Sequence, residues 1–183
     1  SVATRSSSGS IPSIIRDLAS HLLVNNFDLV IIETVGAGQA EMRCAAIANR
    51  IVVVEGPARG DGIQAEKAGL LELADLIVVN KSDLDGSDKV VNDLTISLGL
   101  TSDAPPILKT SAVTGEGLDD LSELITRLDE RTSSKRARNR QQLLMAHENI
   151  LTANPHFEAI LDRMSEEGLT LDAALRELNE RPN

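Results

Sequence analysis

The chain has 183 residues, 42% of them hydrophobic, which is enough for one ordinary domain with a real core and a modest appendage. A formal charge of −10 and only two aromatic residues, Phe27 and Phe157, argue against a nucleic-acid partner, which would want a basic face and stacking platforms. One cysteine, Cys44, excludes an internal disulfide and any multi-cysteine metal site, and no apolar run approaches the ~20 residues that cross a bilayer, so neither nucleic acid nor membrane is an expected partner and a reducing, intracellular location is.

Residues 1–10 are Ser-rich, with Arg5 and Gly9, and carry no apolar period. They open Ser1-Val2-Ala3-Thr4-Arg5 without an initiating methionine, which reads as the interior of a longer protein. Ile11, Ile14, Ile15, Leu18 and Leu22 share one helical face, with Ser10 as a cap, Pro12 in the first turn and Asn25-Asn26 as the stop. Phe27-Asp28-Leu29-Val30-Ile31-Ile32 is short, β-branched and non-alternating, the pattern of a strand buried on both faces of a parallel sheet. It runs into Glu33-Thr34-Val35-Gly36. A carboxylate at such a strand end can hold magnesium, usually through water, and a nearby glycine lets a backbone N–H approach a terminal phosphate. Glu33 and Gly36 are candidates for those roles, although an acidic residue after a strand is more commonly a solvated turn or cap residue.

Residues 38–49 predict a helix with Met42, Ala45 and Ala46 inward, and Ile51-Val52-Val53-Val54-Glu55 a second buried strand. A flexible Gly-rich loop, 56–62, enters a helix through Ile63, Leu70, Leu71, Leu73 and Ala74. Leu76-Ile77-Val78-Val79 is then an apolar run that stops at Asn80-Lys81-Ser82-Asp83. Asp85-Gly86 turns the chain into a helix with Val90, Val91, Leu94 and Leu98 on one side and Gly99 behind it. Another strand, Pro106-Ile107-Leu108-Lys109-Thr110, ends in Ser111-Ala112 before Thr114-Gly115-Glu116-Gly117, and Leu118, Leu121, Leu124, Ile125 and Leu128 mark the last helix of the domain.

The tetrad has a chemical reading. Guanine presents an N1 proton and a 2-amino group side by side, so one carboxylate, Asp83, can accept both, whereas adenine offers no such pair. Asn80 can donate its amide to the purine N7 and brace the loop, and Lys81 can lay its aliphatic stem over the purine face. Three such residues match by chance in a chain of this length at roughly the 2% level. Ser111-Ala112, at the end of the next strand, resembles the second guanine loop of GTPases, in which the Ala112 N–H would meet guanine O6. Two guanine contacts at a plausible spacing make coincidence a poor account.

Strands alternating with helices predict an α/β domain with a parallel sheet, and all three polar motifs fall at strand carboxyl ends, where ligands of such sheets sit. From Arg131 the pattern changes. Residues 132–140 form a polar, basic run that reads as a solvated linker or helix face and is assigned no ligand. Leu143, Leu144, His147, Ile150 and Leu151, then Phe157, Ile160, Leu161 and Met164, then Leu171, Ala174, Leu175 and Leu178 mark three amphipathic helices, with His147 expected to be packed. Such helices need the main domain or a second copy to bury their faces. The expected division is 1–131 for the α/β domain and 132–183 for a helical arm.

With these residues assembled, the chain resembles the MeaB/ArgK-type P-loop GTPases, chaperones of adenosylcobalamin-dependent methylmalonyl-CoA mutase and related acyl-CoA mutases. Glu33-Thr34-Val35-Gly36-Ala37-Gly38-Gln39-Ala40-Glu41 is similar to the family signature, and Gly60-Asp61-Gly62-Ile63-Gln64, with Lys67 and Gly69, is similar to its third switch loop. The resemblance implies GTP/GDP and Mg2+ as ligands, with Glu33 as a magnesium residue and Glu33, Gly36, Gln64 and Lys67 near the chemistry. It implies Gln39 and Asp61 as switch residues, Asn80, Lys81, Asp83, Ser111 and Ala112 as nucleotide contacts, and Asp61, Gln64 and Lys67 as a relay of nucleotide state to the mutase. The terminal helices resemble the family's dimerisation arm, so a homodimer is implied. The implied activity is GTP hydrolysis that gates cobalamin delivery and protects the mutase, in the cytoplasm or, in a eukaryote, the mitochondrial matrix.

Two departures stand against the resemblance. Gly62 occupies a position where an acidic residue is expected, and no Gly-x-x-x-x-Gly-Lys-Ser/Thr phosphate loop occurs in the sequence. In the family that loop lies upstream of the equivalent of Ser1, its strand between those ending at Glu33 and Glu55, so the natural protein is expected to be longer and this chain to read guanine without holding GTP well. A nickel-metallochaperone GTPase would need Cys/His ligands that Cys44 and three scattered histidines do not supply. A non-catalytic, GTPase-derived interaction module is the remaining alternative.

Overall fold

The computed structural model describes residues 14–34, 43, 46–57, 65–99 and 103–179, with the side chains of 14 and 65–68 left aside. Among them the order is α1 (Ile14–Val24), β1 (Val52–Glu55), α2 (Ala65–Leu73), β2 (Leu76–Val79), α3 (Ser87–Leu98), β3 (Ile107–Lys109), α4 (Leu118–Arg127), α5 (Thr132–Thr152), α6 (Phe157–Glu166) and α7 (Leu171–Asn179). Two compact units, residues 1–141 and 142–183, divide the chain inside α5. The class is α/β with a parallel sheet and a C-terminal helical arm, as the alternation of elements predicts.

In the first unit the sheet order is β1-β2-β3 and both pairings are parallel, with Ile77 between Val53 and Ile107 in the register. The apolar run before the tetrad becomes the central strand because it is apolar at every position. Leu76, Ile77, Val78 and Val79 are all buried, which a strand covered on both faces requires. Ile77 and Val79, two residues apart and so on one face, pack with Leu71, Ala74 and Leu94, and Val90, Val91 and Leu98 of α3 close over them. The helical period read from the sequence for α3 is therefore the face that meets the sheet.

Helix α1 ends where Asn25-Asn26 was expected to end it. Asn26 takes the left-handed conformation at φ 69°, and Asn25 and Phe27 return their N–H groups to the last turn. The following segment departs from expectation. Residues 27–32 form no strand, and Phe27, Leu29 and Ile31 are 55%, 52% and 76% exposed. An apolar run becomes a strand only when a neighbour's backbone satisfies its N–H and C=O groups. β1 has β2 on one side and no partner among the described residues on the other. For the same reason β1 is not the doubly buried strand expected of 51–55: Val52 and Val54 are exposed, while Val53 and Ile51 face the core.

The basic run 132–140 takes the helix-face reading rather than the linker one, with 132, 135, 136, 139 and 140 exposed, but its other face is not solvated. It is the first half of α5, and Ser134 and Arg138, one helical turn apart, are buried against Asp75. Asp75 accepts from the Ile51 N–H at 2.9 Å, the Ser134 hydroxyl at 2.5 Å and the Arg138 guanidinium at 2.6 Å. Arg131 completes the joint, donating to the Ala74 and Asp103 carbonyls, while the Asp103 carboxylate accepts the Ser133 N–H at the start of α5. A buried charge needs this much company.

The second unit is the end of α5 followed by a helical hairpin. Ile160 and Ala174 are buried, Arg163 forks onto both carboxylate oxygens of Glu177, and Asn154 donates to the Leu178 carbonyl. Gly168, at φ 73°, turns the chain between α6 and α7, and Leu169 N–H bonds back to the Arg163 carbonyl. Leu143, Leu144 and Ile150 are exposed at 73%, 53% and 70%, and His147, expected to be packed, is exposed as well. Among the described residues of this unit nothing covers that face of α5.

Candidate functional site

The parallel ladder continues past the strand ends into two loops. Asn80 N–H donates to the Glu55 carbonyl at 2.8 Å, Thr110 N–H to Val79 at 2.9 Å and Ser82 N–H to Thr110 at 2.9 Å. The first residues of both loops are thus held by the sheet. Lys81 then adopts φ 63°, uncommon for a residue with a Cβ, and its carbonyl accepts the Leu84 N–H at 3.0 Å. This sharp turn places Asp83 beside the second loop.

Ser111 is fully buried and its hydroxyl donates to Asp83 Oδ1 at 2.5 Å. The Ser111 Oγ in turn accepts the Val113 and Thr114 N–H groups at 3.3 and 3.1 Å. With its acceptor sites used by the backbone, its single proton has one destination, the Asp83 carboxylate. Among the described residues Oδ2 of Asp83 has no partner, so the carboxylate is oriented at one oxygen and open at the other. Asn80 is oriented in the complementary sense. Its Oδ1 accepts from Ala112 N–H at 3.3 Å and from the Thr110 hydroxyl at 3.4 Å, which turns the NH2 donor face outward.

Asn80, Asp83, Ser111 and Ala112, separated by about thirty residues in the sequence, therefore form one cluster at the carboxyl ends of β2 and β3. Lys81 projects from the turn and is exposed. The cluster presents a carboxylate oxygen, an amide donor and a backbone N–H, the set that guanine's N1 and 2-amino hydrogens, N7 and O6 require. The Ala112 N–H is already directed to Asn80 at 3.3 Å, so a base oxygen would share or displace that long bond.

Glu33 lies apart from these loops in the sequence, exposed, on the segment that is not a strand. Gly36, Gln39, Asp61 and Gln64 lie outside the described residues, and Lys67 belongs to α2 with its side chain outside them. Among the described residues there is no group of three or more His, Cys, Asp or Glu side chains suited to a metal ion. Magnesium shared with nucleotide phosphates needs only one or two protein carboxylates.

Several supporting residues escape the motif reading. Thr110 is buried and braces Asn80. Gly56 follows β1 closely enough that a Cβ would stand 3.2 Å from the Asn80 carbonyl. Gly117, at φ 69°, would put a Cβ 2.2 Å from the Lys109 carbonyl, so the turn into α4 admits only glycine. Ser82 donates to the Glu116 carboxylate at 2.9 Å, and Asp88 pairs with Lys109 at 2.8 Å, holding that ammonium above its ordinary pKa. The Gly-x-Gly spacing around Glu116 was visible in the sequence; the pairing of Ser82 with Glu116 was not, because nothing local in either loop announces the other.

The family model for the methylmalonyl Co-A mutase-associated GTPase MeaB matches residues 1–167. The chain belongs to this family. A Pyrococcus horikoshii protein whose name places it among the GTPases is 39% identical over 132 residues, 68% of this chain and 42% of that protein. A Caulobacter vibrioides protein of similar name is 40% identical over 119 residues, 61% of this chain and 36% of its own length. The mouse methylmalonic aciduria type A homolog, named as mitochondrial, is 34% identical over 103 residues, 52% of this chain and 25% of its own length. The chain thus spans about two fifths or less of the curated relatives it matches. As a family member it has the parallel-sheet core of a P-loop GTPase, here β1-β2-β3. Among the described residues no helix is long and apolar enough to cross a membrane.

Proposed function

We propose that this chain is the guanine-reading and arm-bearing portion of a GTP-hydrolysing chaperone that gates adenosylcobalamin delivery to methylmalonyl-CoA mutase or a related acyl-CoA mutase. The observation that carries the guanine half is the pairing of Ser111 with Asp83 beside Asn80 and Ala112. In this reading Asp83 accepts from guanine N1–H and the 2-amino group, Asn80 donates to N7, Lys81 covers the ring and Ala112 N–H meets O6. Ser111 acts through Asp83. Glu33 would contribute a carboxylate to Mg2+, which when bound neutralises phosphate charge, and Gly36 a backbone N–H near the terminal phosphate. Gln39, Asp61, Gln64 and Lys67 would carry the nucleotide's state toward the mutase.

Support for the partner comes from the family description and from the relatives' names. The exposed Leu143, Leu144 and Ile150 support a homodimer through the arm, assigned to 132–183, with 1–131 as the GTPase portion. The proposed compartment is the cytoplasm, or the matrix if the source is eukaryotic.

The test is calorimetric titration of GDP, GTP and ATP onto the protein isolated from its source, followed by GTP turnover with and without the mutase. Guanine-selective binding and mutase-dependent turnover are expected. Equal affinity for ATP and GTP, or none for either, would sink the guanine reading and leave an interaction module.

A further inference from the structure

We infer that Glu116 is a positioning residue for guanine recognition: its carboxylate, bonded to Ser82, sets the spacing between the loop that carries Asp83 and the loop that carries Ala112. The inference rests on the guanine reading above and adds to it a residue that makes no contact with the base.

Two loops that read one base from different edges must keep a set separation, since a site displaced by even 1 Å loses much of its recognition. Five hydrogen bonds among the described residues join them, one of them the long bond from the Thr110 hydroxyl to Asn80 Oδ1 at 3.4 Å, at the very end of the strands. The Ser82 N–H to Thr110 carbonyl bond belongs to the sheet and lies beneath the site. The Ser111 to Asp83 and Ala112 to Asn80 bonds employ groups that the base itself would engage, so they change when it arrives. Beyond Thr110, only the Ser82 hydroxyl to Glu116 Oε2 bond, at 2.9 Å, joins the loops among the described residues without using a base-reading atom. Its position in the chain gives it leverage, because Ser82 is the residue directly before Asp83.

Glu116 is also held through its backbone. Its carbonyl accepts the Ser111 N–H at 2.9 Å, its N–H reaches the Thr114 hydroxyl at 3.3 Å, and Gly117 behind it is pressed on the Lys109 carbonyl. The backbone of Glu116 is therefore braced by the same serine that orients Asp83. A carboxylate on a braced backbone can hold Ser82 through a charge-assisted bond. Lys109 and Asp88, the charged pair nearby, leave this oxygen to Ser82: Lys109 bonds Asp88, and the Glu116 charge acts on Lys109 only at longer range.

The test compares GDP, IDP and ADP binding by the protein isolated from its source and by recombinant protein of that same full length, unaltered and as Glu116→Ala, Glu116→Gln, Ser82→Ala and the Glu116→Ala/Ser82→Ala pair. IDP lacks the 2-amino group that Asp83 would accept, so the GDP:IDP ratio reports the placement of Asp83 apart from general folding. Expected results are a loss of GDP affinity on the order of 3- to 10-fold in each alanine variant, a smaller GDP:IDP ratio, no further loss in the pair, and retention by Glu116→Gln, whose amide oxygen can still accept from Ser82. Unchanged GDP affinity and ratio in Glu116→Ala, with a guanine-selective parent, would overturn the inference alone. So would a loss shared equally by GDP, IDP and ADP, which a merely structural role would give. A parent that binds ADP as well as GDP would overturn the guanine reading and this inference with it.

Discussion

The hydroxyl of Ser111 stands 2.5 Å from Oδ1 of Asp83 and can give its proton nowhere else, since its own oxygen is taken by the Val113 and Thr114 N–H groups. The bond therefore labels the two carboxylate oxygens: Oδ1 is held and Oδ2 is open. Asp83→Asn should keep its side-chain carbonyl toward Ser111 and turn an NH2 outward, where the guanine 2-amino group would be repelled and the 2-carbonyl of xanthine accepted. GDP affinity is expected to fall by roughly 100-fold, the loss of charge-assisted hydrogen bonds, and XDP affinity to rise. Titration of both nucleotides measures this, and a variant that loses both equally would show that Asp83 does not read the base.

Gly117 admits no side chain. Its φ of 69° is unfavourable for one, and an added Cβ would lie 2.2 Å from the Lys109 carbonyl, a backbone atom at the end of β3 that cannot move aside without breaking the sheet. Gly117→Ala should lower stability by about 1–3 kcal/mol, the cost of strain at a special backbone position. Chemical denaturation checks this. Gly115→Ala is the control, because its φ of 85° carries strain but nothing lies within 4 Å of the added Cβ; its loss should be the smaller of the two.

What was legible in the sequence tracks what is decided locally. The doubly buried β2 was legible because Leu76 to Val79 is apolar at every position, and the tetrad because its residues are contiguous. The inward face of α3 followed from the spacing of Val90, Val91, Leu94 and Leu98. The strand expected over 27–32 failed because a strand is a property of two segments, and the second is not among the described residues. The basic run 132–140 is a helix face, as one of its two readings had it, but the burial of Ser134 and Arg138 was missed for a similar reason. Its charge pattern looks solvated, but Arg138 is buried because Asp75, far away in sequence, is buried opposite it. A charged residue placed directly before a fully apolar strand, as Asp75 is, was the signal available.

Removing Arg138 leaves the Asp75 carboxylate in the interior without its cation. Arg138→Ala is expected to cost about 3–5 kcal/mol, the range for breaking a buried pair from one side. Replacing both partners by apolar residues, Asp75→Leu with Arg138→Met, should recover only part of this, because the Ile51 N–H and the Ser134 hydroxyl also depend on Asp75. Urea midpoints of the parent and the two variants measure the difference. Full recovery in the double variant would show that Asp75 serves the ion pair alone and that Ile51 finds another acceptor.

Acid should loosen the joint between α5 and the sheet. Glu130 is held below the usual glutamate range first by its hydrogen bond with Arg138, against a smaller opposing effect of desolvation. Asp103 is held below the usual aspartate range by Ser133, through its side chain and then its backbone N–H. Because both pKa values are lowered on folding, their stabilisation is complete above the ordinary carboxylate values of about 4 and is lost as pH falls below them toward the folded-state values. At neutral pH, Glu130→Gln should be less stable than the parent. Between about pH 5 and pH 3 its stability should fall less steeply, and the two curves should converge at the acid end. Urea midpoints taken across that window decide the matter: parallel curves would mean that the Glu130 to Arg138 bond at 2.8 Å contributes nothing that protonation can remove.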